Sequence, residues 1–92
     1  MAEKDFSKLL YSAVMTLKSE DECKHLFEDL CTPKEIKSIA QRFAVAKMLS
    51  EGRIYNEIVD KTGASTATIS RVNRTMSKGS KTVLERLKNT DN

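Results

Sequence analysis

Residues 54–76 read IYNEIVDKTGASTATISRVNRTM, and this stretch decides the fold. Apolar side chains recur at steps of three and four residues on both sides of Gly63, a spacing that predicts two amphipathic helices. Gly63 lies where the chain must turn, and glycine adopts a positive φ at little cost. Ser65 is a favoured residue type for the N-cap of the following helix. The stretch therefore predicts a helix, a sharp turn and a second helix over about Thr66–Met76.

The second of these helices carries the residues that predict a function. Ile69, Val72 and Met76 share its inward face, so small polar and basic residues remain for the other faces. A protruding helix of this kind can enter the major groove of duplex DNA, where hydroxyls and guanidinium groups bond base edges and methyl groups contact thymine. The predicted DNA contacts are Ser65, Thr66, Ala67, Thr68, Ser70, Arg71, Arg74 and Lys78. The alternative is a pair of helices that only pack against each other.

The positive charge of the chain is concentrated in its second part. The formal net charge is +3. Residues 1–52 contain eight Lys and Arg against nine Asp and Glu, and residues 53–92 contain eight against four. No acidic residue falls between Lys61 and Lys81. A basic stretch like this one favours a phosphate-backbone partner, although an ordinary solvated surface gives the same pattern.

The first half of the chain also predicts helices. Apolar residues from Phe6 to Leu17 recur at helical steps and form a stripe for a core or a dimer interface. Ser19–Glu22 and Thr32–Glu35 both fit the capping-box pattern that begins a helix. The helix after the second box is expected to run to about Glu51, stopped by Gly52, and its many apolar residues predict burial on more than one face.

The end of the chain predicts one more helix. Ser77–Ser80 is expected to be a linker, with Ser80 as the N-cap of the last helix and a frayed tail over Asn89–Asn92. The sequence as a whole predicts an all-α fold of about six helices in a single domain, residues 1–92. A chain this short has a thin core, and the short apolar stripe of the last helix suggests a partner subunit.

Several classes of protein fit the sequence poorly. No apolar run approaches the length of a membrane span, and the first residues lack the features of a signal peptide, so we expect a cytoplasmic protein. Cys23, Cys31 and the single His25 lack the spacing of a zinc site, which favours buried, reduced thiols and no metal. No nucleophile and base are arranged around His25, so we expect no enzyme. The serious alternative to DNA binding is a helical protein-interaction adaptor.

Residues 30–35 (LCTPKE), Arg42 and residues 63–71 (GASTATISR) resemble the Trp repressor superfamily and, within it, the YerC/YecD-type branch. The resemblance spans roughly Phe6 to Leu87. It implies an intertwined all-helical homodimer with two helix-turn-helix heads. It also implies a transcriptional regulator or repressor that binds double-stranded DNA, associated with the nucleoid in the bacterial cytoplasm.

The same resemblance raises a tryptophan-like corepressor as an alternative to an effector-independent protein. The positions that match the tryptophan site of the Trp repressor are Thr32, Arg42, Arg71 and Thr75. Val72 stands where the tryptophan-binding repressor has glycine, and its side chain projects into the space of the indole ring. Thr32 is already explained as an N-cap, Arg71 as a DNA contact and Arg42 as the ion-pair partner of a nearby carboxylate. We therefore expect no cofactor.

Overall fold

The helices are seen in a computed structural model, which describes residues 4–90 apart from the side chain of Lys78. These residues form six helices and no strand, so the predicted all-α class with about six helices is confirmed. The helices are α1 (Ser7–Val14), α2 (Glu20–Leu30), α3 (Pro33–Ser50), α4 (Tyr55–Thr62), α5 (Thr66–Thr75) and α6 (Lys78–Thr90). Residues up to Ile36 form one compact unit, and those from Lys37 onward form a second. The single domain over residues 1–92 stays a prediction.

Both predicted capping boxes begin helices, but only one of them forms completely. Before α3, the Thr32 N–H donates to Glu35 Oε1 at 2.8 Å and the Glu35 N–H donates to Thr32 Oγ at 3.1 Å. Before α2, Ser19 Oγ accepts from the Glu22 N–H at 3.1 Å. The Glu22 carboxylate, however, accepts from the Lys18 N–H at 3.0 Å and not from Ser19. The second bond of that box is therefore displaced by one residue.

The helix α1 is shorter than its apolar stripe. It ends at Val14, and Leu17 lies beyond it. The Thr16 hydroxyl donates to the Ala13 carbonyl at 2.7 Å, and the N–H groups of Thr16 and Leu17 bond carbonyls three residues back. A local side-chain bond and three-residue backbone bonds compete with the α-helical pattern, which ends the helix early.

The helix α6 begins earlier than predicted, so the prediction of a linker over Ser77–Ser80 is wrong. The Lys81 N–H donates to the Ser77 carbonyl at 3.3 Å, which makes Ser77 the residue before the first turn. Only Met76 and Ser77 separate α5 from α6, and Ser80 is inside α6. At the other end Asn89 and Thr90 are helical, while Asp91 and Asn92 lie outside the described residues.

The core of the second unit is small. Val45, Ile58, Ala64 and Ile69 form one buried cluster, which α3, α4, α5 and the turn before α5 supply together. The partly buried apolar residues around it are Met48, Leu49, Tyr55, Val59 and Val72. In α3 only Val45 and Ala46 are buried, and the large side chains of Ile39 and Phe43 are exposed. The predicted burial of α3 on more than one face is therefore not reached within a single chain.

The first unit buries even less. Neither α1 nor α2 contains a buried residue. Its exposed large apolar residues are Phe6, Leu9, Leu10, Tyr11, Val14, Met15 and Leu30. Cys23 and Cys31 are free but only half-buried, so the prediction of buried thiols is wrong for a single chain. Between residues 4 and 90, no helix has the length and apolar content to cross a membrane.

The turn between α4 and α5 has the backbone predicted for it. Gly63 has a φ of 73° in the left-handed region, and its N–H donates to the Val59 carbonyl at 2.9 Å. A Cβ atom added at Gly63 would have one neighbour within 4 Å, Gln41 Nε2 at 3.9 Å, which is an ordinary van der Waals distance. The glycine is therefore required by backbone conformation and not by lack of space.

Replacing Gly63 with alanine should lower the free energy of unfolding by about 1–2 kcal/mol, the cost of a left-handed residue that has a Cβ. The matched control is Gly79→Ala, because Gly79 lies in α6 without a positive φ. That variant should gain about 0.4–1 kcal/mol through the unfolded state. Urea denaturation of both variants measures the difference, and equal stabilities would contradict the role given to Gly63.

The capping box before α3 predicts a pH dependence. The Thr32 N–H, with a smaller effect of its hydroxyl, lowers the pKa of Glu35 below its usual value of 4.5. A lowered pKa in the folded state adds stability above the unfolded pKa, and this contribution is lost as pH falls through the folded value. Wild type should therefore exceed Glu35→Gln in stability at neutral pH and lose that advantage in acid. Urea denaturation at several pH values checks this, and a constant difference would contradict it.

Candidate nucleic-acid interface

The helix α5 has one buried face and one outward face. Ile69 is fully buried and Val72 is half-buried on the inward face. Ala67, Arg71 and Arg74 are exposed. At 100° per residue these three side chains lie on the side of the helix opposite Ile69 and Val72. A small residue near the start of the face and two guanidinium groups further along it form a surface that can enter a groove.

The hydroxyls at the start of α5 are engaged within the helix. Ser65 Oγ accepts from the Thr68 N–H at 3.1 Å and donates to Thr68 Oγ at 3.0 Å. Thr68 is half-buried, and Ser70 is half-buried as well. Thr66 is exposed beside them. Ser65 and Thr68 therefore build the cap. The exposed residues among the predicted contacts are Ser65, Thr66, Ala67, Arg71 and Arg74.

A hydrogen-bonded turn fixes how α5 leaves α4. The Thr62 hydroxyl donates to the Ile58 carbonyl at 2.7 Å and accepts from the Ala64 N–H at 3.1 Å. From α3, Gln41 Nε2 donates to the Thr62 carbonyl at 3.0 Å. Neither Gln41 nor Thr62 was predicted from the sequence to belong to the site. The signal for Gln41 was a polar residue within a mostly apolar helix, at a position that turns out to be half-buried.

A second polar link joins the two helices at an exposed edge. Asn73 Nδ2 donates to the Tyr55 hydroxyl in a long hydrogen bond of 3.4 Å. Tyr55 is the first residue of α4, and its ring is among the apolar groups that pack against the core. Neither residue was predicted to belong to the site, because nothing in the spacing of the two residues along the chain brings them together.

The exposed charged residues of the chain from Lys61 to Lys81, which includes α5, are basic. Lys61, Arg71, Arg74 and Lys81 are exposed, while the side chain of Lys78, also a predicted contact, lies outside the described residues. The ion pairs in the part of the chain that the structure describes involve Lys47, Glu51, Arg53 and Glu57. The guanidinium groups of α5 are therefore not neutralised by carboxylates of the described residues and can meet an anionic partner.

A cleft lies behind α5, within the second unit. Its volume is about 260 Å³, and it is lined by Ile39, Arg42, Phe43, Ala46, Val72, Thr75, Met76 and Ser80. Two of the four residues that match a tryptophan site, Arg42 and Thr75, are on its wall. Val72 is also there, so its isopropyl group takes up space that a glycine would leave open. The Thr75 hydroxyl donates to the Arg71 carbonyl at 2.9 Å and is committed within the helix.

The other two candidates for a ligand site have different surroundings. Arg71 is exposed on α5 and is not part of the wall of the cleft. Thr32 belongs to the first unit, where its N–H and hydroxyl are both used in the capping box. Arg42 is exposed and makes no ion pair with a carboxylate of residues 4–90, so the expected pair is wrong. Nor do the described residues include a group of three His, Cys, Asp or Glu side chains that could hold a metal.

The buried face, the left-handed glycine turn and the exposed second helix define a helix-turn-helix protein. The sequence model of the Trp repressor protein family matches residues 6–91. The chain is 48% identical over 85 residues to the uncharacterized protein YerC of Bacillus subtilis (strain 168), a match that covers 89% of this chain and 82% of YerC. This chain therefore belongs to the Trp repressor family.

Solved structures agree with this assignment. A TrpR-like protein from Eubacterium eligens ATCC 27750 is 54% identical and superimposes with a TM-score of 0.83, over 87% of this chain and 86% of that one. A candidate Trp repressor from Staphylococcus aureus is 40% identical, with a TM-score of 0.82 over 94% of this chain and 96% of that one. Proteins of this family are regulators, not enzymes, and bind DNA as dimers.

Proposed function

We propose that the protein is a transcriptional regulator that binds double-stranded DNA in a sequence-specific manner as a homodimer, with α5 in the major groove. The observation that carries the proposal is the outward face of α5, where Ala67, Arg71 and Arg74 are exposed opposite the buried Ile69. Family membership supports the same partner. The single-domain organisation over residues 1–92, a repressor role and a location at the nucleoid of the bacterial cytoplasm belong to this proposal.

The residues of α5 divide by the contacts that we assign to them. Arg71 and Arg74 bond guanine edges or phosphates, and Ala67 contacts a thymine methyl group. Thr66 and Ser70 bond base edges or the backbone, while Ser65 and Thr68 hold the helix end whose N–H groups favour a phosphate. Lys78 adds a charge beyond the end of α5. Base contacts give specificity and phosphate contacts give position, so both kinds are needed.

A second copy of the chain supplies the burial that one chain lacks. Large apolar side chains are exposed in α1, α3 and α6, including Leu9, Phe43 and Leu87. A monomer rarely leaves this much large apolar surface in water, so these residues favour a subunit interface. In a dimer of two heads, the recognition helices are expected about 34 Å apart, on a pseudo-palindromic DNA site.

The cleft behind α5 favours regulation without tryptophan. Val72 occupies part of the cleft, Thr75 is bonded to the backbone of α5, and Arg71 points to the DNA surface in our assignment. Only Arg42 remains on the cleft wall as an uncommitted charged group. We therefore assign Thr32 to helix capping, Arg71 to DNA contact and Thr75 to a bond within α5. Arg42 alone does not make a corepressor site, so the protein uses no cofactor.

Replacing Arg71 and Arg74 together with alanine should weaken DNA binding by roughly 1,000-fold or more, since each arginine is worth about 1–3 kcal/mol and the dimer loses four of them. The slope of log affinity against log salt should also become shallower, because fewer phosphate charges are neutralised. Fluorescence anisotropy with a duplex selected from genomic DNA measures both quantities. Sedimentation should show an unchanged dimer.

The matched control is Lys8→Ala with Lys24→Ala, which makes the same change in net charge at exposed sites of the first unit. This control should retain most of the affinity. Unchanged DNA affinity in the double arginine variant, or a DNA affinity that does not depend on salt concentration, would contradict the proposal and favour the protein-interaction adaptor.

Calorimetry with L-tryptophan tests the assignment of the cleft. We expect no heat of binding at concentrations up to about 1 mM, because Val72 fills part of the space and the Thr75 hydroxyl is bonded within α5. Heat that disappears in Arg42→Ala would establish a ligand in the cleft and overturn effector-independent binding. DNA affinity measured with and without L-tryptophan should be the same.

A further inference from the structure

The edge where α4 meets α5 has a polar pair that the proposed function has not used. Asn73 Nδ2 donates to the Tyr55 hydroxyl at 3.4 Å, and this bond lies at the surface. Because the hydroxyl oxygen accepts from the amide, the phenol proton remains available to another acceptor. The pair therefore presents a hydrogen-bond donor to whatever lies beside α5.

The ring and the hydroxyl of Tyr55 have separate environments. The residue is half-buried, and its ring packs against the cluster that contains Ile58 and Ile69. A tyrosine held in this way has few conformations left for its side chain, so its hydroxyl is directed before any partner arrives. A phenylalanine at the same position would keep the ring packing and lose only the hydroxyl.

The position of Asn73 on α5 indicates that the pair would face the border of the DNA groove. Asn73 follows Thr66 by seven residues and therefore lies on the same flank of the helix, beside the outward face of Ala67 and Arg74. The major groove is about 12 Å wide and a helix with its side chains is about 10–12 Å across. Side chains on the flank of an inserted helix therefore face the phosphates that border the groove.

The acidic neighbour of the pair does not oppose a phosphate strongly. Glu57 lies in the first turn of α4, and its Oε2 accepts from Arg53 Nη1 at 3.2 Å. The pairing offsets the negative charge of Glu57, which is two residues from Tyr55 along α4. At the N-cap of α4, the side chain of Ile54 accepts no hydrogen bond from the first N–H groups of the helix.

We propose that the Tyr55 hydroxyl, oriented by Asn73, donates a hydrogen bond to a backbone phosphate of the bound DNA. The inference rests on the proposed function and adds a contact from α4 to those of α5. The contact fixes the position of the head on the duplex and carries no sequence preference.

The test is Tyr55→Phe, measured by fluorescence anisotropy on the duplex selected from genomic DNA and on an unrelated duplex. The variant should bind both about 100-fold more weakly, because the dimer loses one hydrogen bond to a charged group in each of its two heads. Its salt slope should match that of wild type, because a neutral hydroxyl releases no counterion. Ser12→Ala is the control for the loss of an exposed hydroxyl, because Ser12 is an exposed polar residue of α1, and it should bind as wild type does.

A scan with neutral methylphosphonates identifies the acceptor. At one backbone position in each half-site, neutralisation should weaken wild type but cause little further loss in Tyr55→Phe. Asn73→Ala should weaken wild type by a smaller factor and leave Tyr55→Phe unchanged, because it acts through the hydroxyl.

Three results would overturn the inference. They are wild-type affinity in Tyr55→Phe, a methylphosphonate scan in which both proteins lose affinity equally at every position, and a loss of affinity in Tyr55→Phe that Asn73→Ala reproduces in full. The last would mean that the hydroxyl only holds α4 to α5. In each case, salt-dependent DNA binding by wild type would still support the proposed function. If wild type does not bind DNA, both the proposed function and the Tyr55 contact are contradicted.

Discussion

The burial of Ile69 against Ile58, Val45 and Ala64 is the constraint on which the rest of the structure depends. Full burial of one such side chain is worth about 1.5–3 kcal/mol. Each residue of a helix is rotated by a fixed angle from the last, so anchoring one residue sets the direction of all the others. Any rotation of α5 that exposed Ile69 would also turn Arg71 or Arg74 toward the core, where an unpaired guanidinium costs several kcal/mol.

Polar contacts stabilise the turn beside this buried cluster. Gly63 allows the chain to reverse, the Thr62 hydroxyl bonds both sides of the turn, and Gln41 ties the turn to α3. The core that these contacts surround is small for a chain of this length, and much of the large apolar surface of α1, α3 and α6 remains in water. Since family members bind DNA as dimers, association and recognition are expected to stabilise each other.

The sequence predicted best the features that depend on neighbouring residues. The left-handed Gly63, the cap at Ser65 and the box at Thr32 are local and were confirmed. The start of α6 was missed because a Ser-Lys-Gly-Ser stretch is typical of linkers, yet it continues as helix once Ser77 supplies the first carbonyl. Contacts distant in sequence, such as the bond from Asn73 to a tyrosine 18 residues away, follow from helix packing and leave no pattern in the sequence.

Disulfide trapping tests the direction of α5 most directly. In a chain whose Cys23 and Cys31 are replaced by serine, Ala67→Cys would be mixed with duplexes that carry a thiol tether on one base in the major groove or in the minor groove. With α5 in the major groove, Ala67→Cys should cross-link rapidly to a major-groove tether within the bound site and little to a minor-groove tether at the same base pair. Equal cross-linking to both tethers, or none to either while DNA is bound, would contradict it.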